Sequence, residues 1–125
     1  MRIKIDKADT VFSQYIRLRD MKCKRCGSIV ELNDKGLPVS HQASHYWSRG
    51  KESTRFDPEN VDTLCFGCHQ IWGGDEREEY KKFKVNQLGE DGFKKLDFRA
   101  HQLVKKDRGM SLLIAKQLLC TVIHS

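Results

Sequence analysis

Two cysteine pairs, Cys23-Lys24-Arg25-Cys26 and Cys65-Phe66-Gly67-Cys68, frame the residues of this chain that are able to do chemistry. His45 lies between the pairs, Asn60 follows fifteen residues later, and His69 stands nine residues beyond Asn60, directly after Cys68. Four thiolates in two C-x-x-C units suit one Zn2+ ion. They close its tetrahedron with no open position, so such a site is structural rather than catalytic. The histidines offer something else. A neutral imidazole, with an unperturbed pKa of about 6.5, is a good base near neutral pH. A second imidazole can hold a cation. Asparagine neither gives up a proton nor grips a cation tightly, but its amide can pin a loop and so keep a base at the right angle.

Hydrolysis of a phosphodiester needs an activated water, a cation for the charge that develops on the phosphate, and fixed geometry between them. Ser44-His45-Tyr46, then Asn60, then Cys65-Phe66-Gly67-Cys68-His69, resembles the HNH endonuclease signature in its zinc-bearing form. His45-Tyr46, Ser48-Arg49-Gly50, Arg55-Phe56, Asn60 and Leu88-Gly89 are further similar to the phage NinG (Rap) recombination nucleases, over roughly Cys23 to Gly89. The resemblance implies a ββα-metal finger: a two-stranded hairpin and a helix around one divalent cation, Mg2+ or Mn2+. It implies that His45 is the general base, that Asn60 orients the catalytic loop and that His69 ligates the catalytic metal. DNA, branched or irregular DNA included, is the implied partner, and nicking or cutting the implied outcome. Two positions depart from the family pattern. Ser44 stands where many members carry an acidic or histidine ligand, and Gly73 where some carry a second helix histidine. His41 is a candidate second ligand, but four residues of straight strand put it roughly 13 Å from His45, so a bulge would be needed. Asp62 and Asp75 are weaker candidates.

At 125 residues, 38% hydrophobic and 32% charged, the chain reads as a single domain with a thin core that a metal staple would supplement. Four thiolates remove four charges and a zinc ion restores two, leaving +4 of the formal +6. That balance permits nucleic-acid binding without establishing it. Arg49, Lys51 and Arg55 flank the proposed site and are the candidate phosphate contacts. Lys81, Lys82, Lys84, Lys94 and Lys95 read as helix surface, and Tyr46 and Trp47 as core. No apolar run is long enough for a spanning helix, and Met1 to Thr10 lacks the apolar stretch of a secretory signal. The paired cysteines point to a reducing, cytoplasmic setting, that of a bacterial host if the chain is phage-derived. Cys120, in an apolar pattern, reads as a buried small hydrophobe.

The elements that must position these residues follow from local pattern. The fold class is α+β, in three parts: an N-terminal helical segment (1–22), the zinc-bearing core (23–89) and a C-terminal helical extension (90–125). Asp9-Thr10 predicts a cap for a helix ending near Asp20, with Arg17 and Arg19 facing outward. Ser28 to Leu32 and the stretch from Leu37 to Trp47 read as strands around a turn at Asn33-Asp34-Lys35-Gly36. Ser48 to Asn60 is a polar loop without periodicity, of a length often tied to function. Val61 to Leu64 is a strand, and a short helix begins near Cys68 and stops at Gly73-Gly74. Two helices meet at Gly89, the first opening on Asp75 with Glu78, the second on Asp91. Ser111 to Ile123 is apolar on two faces, which suits a homodimer contact. The alternative to a nuclease is a zinc-ribbon nucleic-acid-binding module without catalytic activity.

Overall fold

The computed structural model describes residues 4–124. Residues 1–3, the start of the segment tested above for a signal, and residue 125 lie outside the description. Five helices and two strands follow in the order α1 (Lys7–Asp20), β1 (Gln42–His45), α2 (Glu52–Arg55), β2 (Val61–Leu64), α3 (Phe66–Gly73), α4 (Arg77–Ala100) and α5 (Arg108–Ile123). This is a mixed helical and two-stranded antiparallel arrangement, an α+β fold. Among the described residues no helix is long and apolar enough to cross a membrane.

α1 starts earlier than expected because Asp6, not Asp9, is its cap. Asp6 Oδ1 accepts from the Asp9 amide (3.1 Å) and Asp9 Oδ2 accepts from the Asp6 amide (2.9 Å), a reciprocal box that satisfies two otherwise orphaned donors. Arg17 and Arg19 do not simply face outward. Arg19 reaches the carbonyls of Pro58 and Val61, both at 2.8 Å, and Arg17 that of Ser40 at 3.3 Å. The helix therefore grips the loops on either side of the sheet.

The turn at Asn33 to Gly36 forms as expected. Asn33 Oδ1 accepts from the amides of Lys35 (2.9 Å) and Leu37 (3.0 Å), and Gly36 takes φ +78°. The strands around it do not. Only the bridges Lys22–Ile29 and Leu32–Pro38 pair there, and His41, at φ +67°, breaks the chain's extension before β1. What survives is a four-residue ladder, Gln42 opposite Leu64 through His45 opposite Val61.

Strand alternation gives this ladder two covered faces. Ala43 and Val61 pack with Phe12, Tyr15 and Ile16 of α1 and Ala115 of α5. Leu64 and Tyr46 pack on the other side with Cys23, Cys68, Trp72 and Tyr80. α4 carries non-helical backbone at Gly89 (φ +77°, ψ 163°), so the two expected helices meet there in one bent element. α5 begins at Arg108, three residues before the expected start, because Asp107 Oδ1 accepts from the Met110 amide at 3.0 Å. Its inner side lies against α1, and Met110, Leu113 and Ile114 stay exposed on the helix for which the sequence suggested a homodimer contact. Cys120 is exposed as well, which corrects its reading as a buried hydrophobe: it sits on the side turned away from α1.

Lys84 is not surface either. Its ammonium is fully buried, 3.0 Å from the equally buried Asp62 carboxylate, and also donates to Gln87 Oε1 (2.7 Å) and to the Glu59 carbonyl. Gln87 Nε2 donates to the second Asp62 oxygen at 3.0 Å. Asp62 is thereby committed to α4 and drops out as a metal ligand. Removing one member of a buried pair strands the other, at a cost of about 3–5 kcal/mol. Lys84→Met should therefore lose about that much stability in urea unfolding, and adding Asp62→Leu should restore most of it. A Lys84→Met protein as stable as the parent would contradict the pairing.

Candidate metal and catalytic site

The chain's two knuckles meet in space. Cys23, Cys26, Cys65 and Cys68 bring their sulfurs within 4.8 Å of one another. Among the described residues this is the only such group of three or more metal-binding side chains. Cys26 Sγ and Cys65 Sγ are 3.8 Å apart. A tetrahedron with Zn–S bonds of about 2.3 Å has edges of about 3.8 Å, so the spacing fits. The amides of Cys26 and Cys68 approach the sulfurs of Cys23 and Cys65 at 3.5 Å each, as a knuckle turn requires. The thiols are also electrostatically frustrated: burial pushes Cys68 up to about 12, while hydrogen bonding with Ser28 draws Cys26 down to about 6. A divalent cation resolves that conflict by favouring every thiolate at once. The cluster is compatible with a structural zinc.

His41 belongs to this corner of the molecule. Its Nε2 lies 3.0 Å from Ser28 Oγ, itself 3.3 Å from Cys26 Sγ, and its Nδ1 lies 2.8 Å from Ser40 Oγ. Both ring nitrogens are engaged, which removes His41 as a second ligand for a catalytic metal. The left-handed backbone at His41 is the bend that the sequence argument required, and it turns the ring towards the knuckle instead.

His45, at the end of β1, faces the α1 side. Its Nε2 is 2.8 Å from the Arg55 carbonyl. A carbonyl only accepts, so Nε2 carries the proton and the lone pair sits on Nδ1. That Nδ1 is buried and has no partner among the described residues. Burial is the main cause that brings the ring's pKa down to about 4, and the Arg49 charge adds to it. The ring is thus neutral at every pH well above 4.

His69 is the fourth residue of α3, closing the first turn of a helix capped by Cys65. Its Nδ1 is likewise buried without a partner. Burial, then the Arg49 charge, lowers its pKa. The Arg49 charge therefore acts on both rings. His69 lines an open cleft of about 230 Å³ with Gln70, Gly73 and Gly74, so the wall beside it carries little side chain.

Asn60 is fully buried and uses its whole amide. Oδ1 accepts from the Trp47 amide (2.8 Å), and Nδ2 donates to the carbonyls of Trp47 (2.9 Å) and Thr54 (3.1 Å). It thus ties the start of the 48–60 loop to the turn α2, next to the carbonyl that holds His45. Ser44 points to the opposite face, where Tyr80 donates to its carbonyl at 3.1 Å and lies 3.3 Å from its hydroxyl.

The three candidate phosphate contacts divide. Arg55 is corrected: it is 3% exposed and gripped by Asp9, with Arg55 Nε 2.9 Å from Asp9 Oδ1 and Nη2 on Oδ2, so it cannot meet DNA. Arg49 is half-buried, its Nε 3.7 Å from Asp9 and without a hydrogen bond. Lys51 lies 6.0 Å from the Trp47 ring centroid, a loose cation–π contact. Asp9 was missed as a site residue because the sequence reads it only as the cap of a helix.

No protein-family model, no curated protein and no solved structure matches this chain. The case for its chemistry rests on these residues alone.

Purified protein should carry close to one zinc per chain. Removal of that zinc by a strong chelator, or Cys65→Ser, should lower the thermal midpoint sharply. Metal-free protein melting like the parent would contradict a structural role for the four cysteines.

Proposed function

We propose that the chain is a metal-dependent DNA endonuclease or nickase of the HNH type, built on a ββα-metal core. The observation that carries this reading is the pair of buried, unpartnered Nδ1 atoms on His45 and His69, both beside Arg49. His45 takes a proton from water at Nδ1 while the Arg55 carbonyl holds Nε2–H. The Arg55 carbonyl then also stabilises the imidazolium that forms. Asn60 keeps the loop bearing that carbonyl in place. Arg49 meets the phosphate and offsets its charge.

His69 offers one nitrogen to a hard divalent cation, Mg2+ or Mn2+. Such an ion keeps several waters, so a single protein ligand fits it. When bound, it would polarise the phosphate and stabilise the leaving oxygen. The zinc cluster, whose four sulfurs leave no open position, takes no part in the reaction.

Supercoiled plasmid incubated with Mg2+ or Mn2+ should be nicked, and EDTA should prevent it. His45→Ala should abolish nicking while DNA binding survives. An unperturbed histidine base would cost about tenfold in rate on going from pH 7.5 to 5.5. With His45 held neutral down to about 4, the base itself should impose no such loss. DNA binding without cutting, in any metal, would replace this reading by the zinc-ribbon binding module. A tenfold fall centred near pH 6.5 would argue against His45 as the base.

A further inference from the structure

Asp9 lies on the first turn of α1, outside the region that carries the nuclease-like motifs, yet its carboxylate is 4% exposed and faces the site. Its two oxygens receive Arg55 Nε and Nη2, the Asp6 amide at 2.9 Å, and Arg49 Nε at 3.7 Å. We propose that Asp9 is a positioning residue for the reaction: its grip on Arg55 fixes the carbonyl that sets the His45 tautomer, and its other edge steadies Arg49 beside the two histidines. This deepens the nuclease reading and rests on it.

Arg55 has two functions. Arg55 presents its guanidinium to Asp9 and its carbonyl to His45. α2 is a single turn of four residues, whose cap Lys51 makes no side-chain hydrogen bond; its own backbone bonds and the Asn60 contact at Thr54 hold the turn, one residue short of that carbonyl. The two-pronged ion pair supplies the constraint, because a guanidinium fork on a carboxylate admits one orientation. Arg55 Nη2 also donates to the Lys4 carbonyl at 2.9 Å, which anchors the fork to the approach of α1. The pair is ionised in place: burial alone would raise the Asp9 pKa, but the Arg55 guanidinium and the hydrogen bonds with Asp6 together hold it below the usual carboxylate range.

Two arginines share the Asp9 carboxylate. Arg55 takes both oxygens at hydrogen-bond distance, while Arg49 stays at 3.7 Å with its buried Nε unpartnered. Asp9 therefore neutralises the buried arginine and leaves most of the Arg49 charge beside His45 and His69, where an incoming phosphate would need it.

The test reads Asp9→Asn and Asp9→Glu in zinc-loaded full-length protein, with His45→Ala as the reference. Asparagine keeps the size and the capping acceptor but loses the charge. Loss of an outer partner that orients a reacting group typically costs about 10–100-fold in activity. Asp9→Asn should lower kcat for plasmid nicking within that range and leave DNA affinity within about twofold, and Asp9→Glu should recover part of the rate. The ring 15N spectrum of His45 gives a readout separate from activity. At pH 7 the parent should show the Nε2–H tautomer alone, and Asp9→Asn a mixture. If Asp9→Asn fails to fold, Arg55→Lys replaces it, since lysine keeps the charge but not the fork.

A His45 that remains wholly Nε2–H, or a kcat equal to the parent's, overturns the proposal. Absence of nicking by the parent would sink the nuclease reading, and nicking by His45→Ala at the parent's rate would sink His45 as its base; either removes the positioning of a catalytic base. The tautomer would still report whether Asp9 orients the ring, so the two failures are distinguishable.

Discussion

The ladder between β1 and β2 is only four residues long on each strand, and the rest of the molecule is arranged to keep it closed. An isolated pair of this size is marginal in water. At one end β2 runs straight into Cys65, so the four-sulfur cluster clasps it. At the other end Asn60 precedes β2, and its carbonyl and side chain both bind the strand opposite, at Tyr46 and Trp47. The two candidate catalytic histidines sit just beyond these fasteners: His45 ends β1 beside the Asn60 closure, and His69 follows the cysteine clasp. Register and chemistry are therefore coupled. A slip of one residue would turn His45 towards Tyr80 and bring Ser44 into its place.

Because the apolar fraction is small, charge is used inside the fold. Each face of the ladder is closed by a buried ion pair, Asp9–Arg55 on the α1 side and Asp62–Lys84 on the α4 side. Neither is a cheap source of stability, since desolvation offsets most of the attraction. What they provide is direction. Lys84 also binds the Glu59 carbonyl, one residue before Asn60, and Arg55 supplies the carbonyl that orders His45. The loop at 48–60 is held from both sides by a buried cation: Arg55, within it, binds Asp9 of α1, and Lys84 of α4 binds Asp62 of β2 and the Glu59 carbonyl.

Features set by residues close in sequence were legible without coordinates. The cysteine pairs converge as their spacing suggested, the turn at Asn33 forms around its own side chain, and the stops at Gly73–Gly74 and Gly89 fall at backbone that leaves the helix. The α+β class followed from the same signals. Features set by distant partners were not legible. Arg55 and Asp9 are 46 positions apart, Lys84 and Asp62 are 22 apart, and nothing local distinguishes these cations from the exposed lysines around them. His41 was misplaced for a related reason: its left-handed backbone comes from the packing of Ser28 and Ser40 around its ring, and residue type alone does not disclose that. Cys120 was misread because α5 is apolar on both faces, while α1 covers only one of them.

At the centre of the proposed function is a single site, served by the free nitrogens of His45 and His69, that would take a hard divalent cation. Paramagnetic broadening tests it most directly. Mn2+ titrated at substoichiometric levels into zinc-loaded protein, followed by histidine ring NMR, should broaden His69 first and His45 with it, and leave His101 and His124 sharp. Broadening of His69 without His45, or of neither ring, would contradict the account.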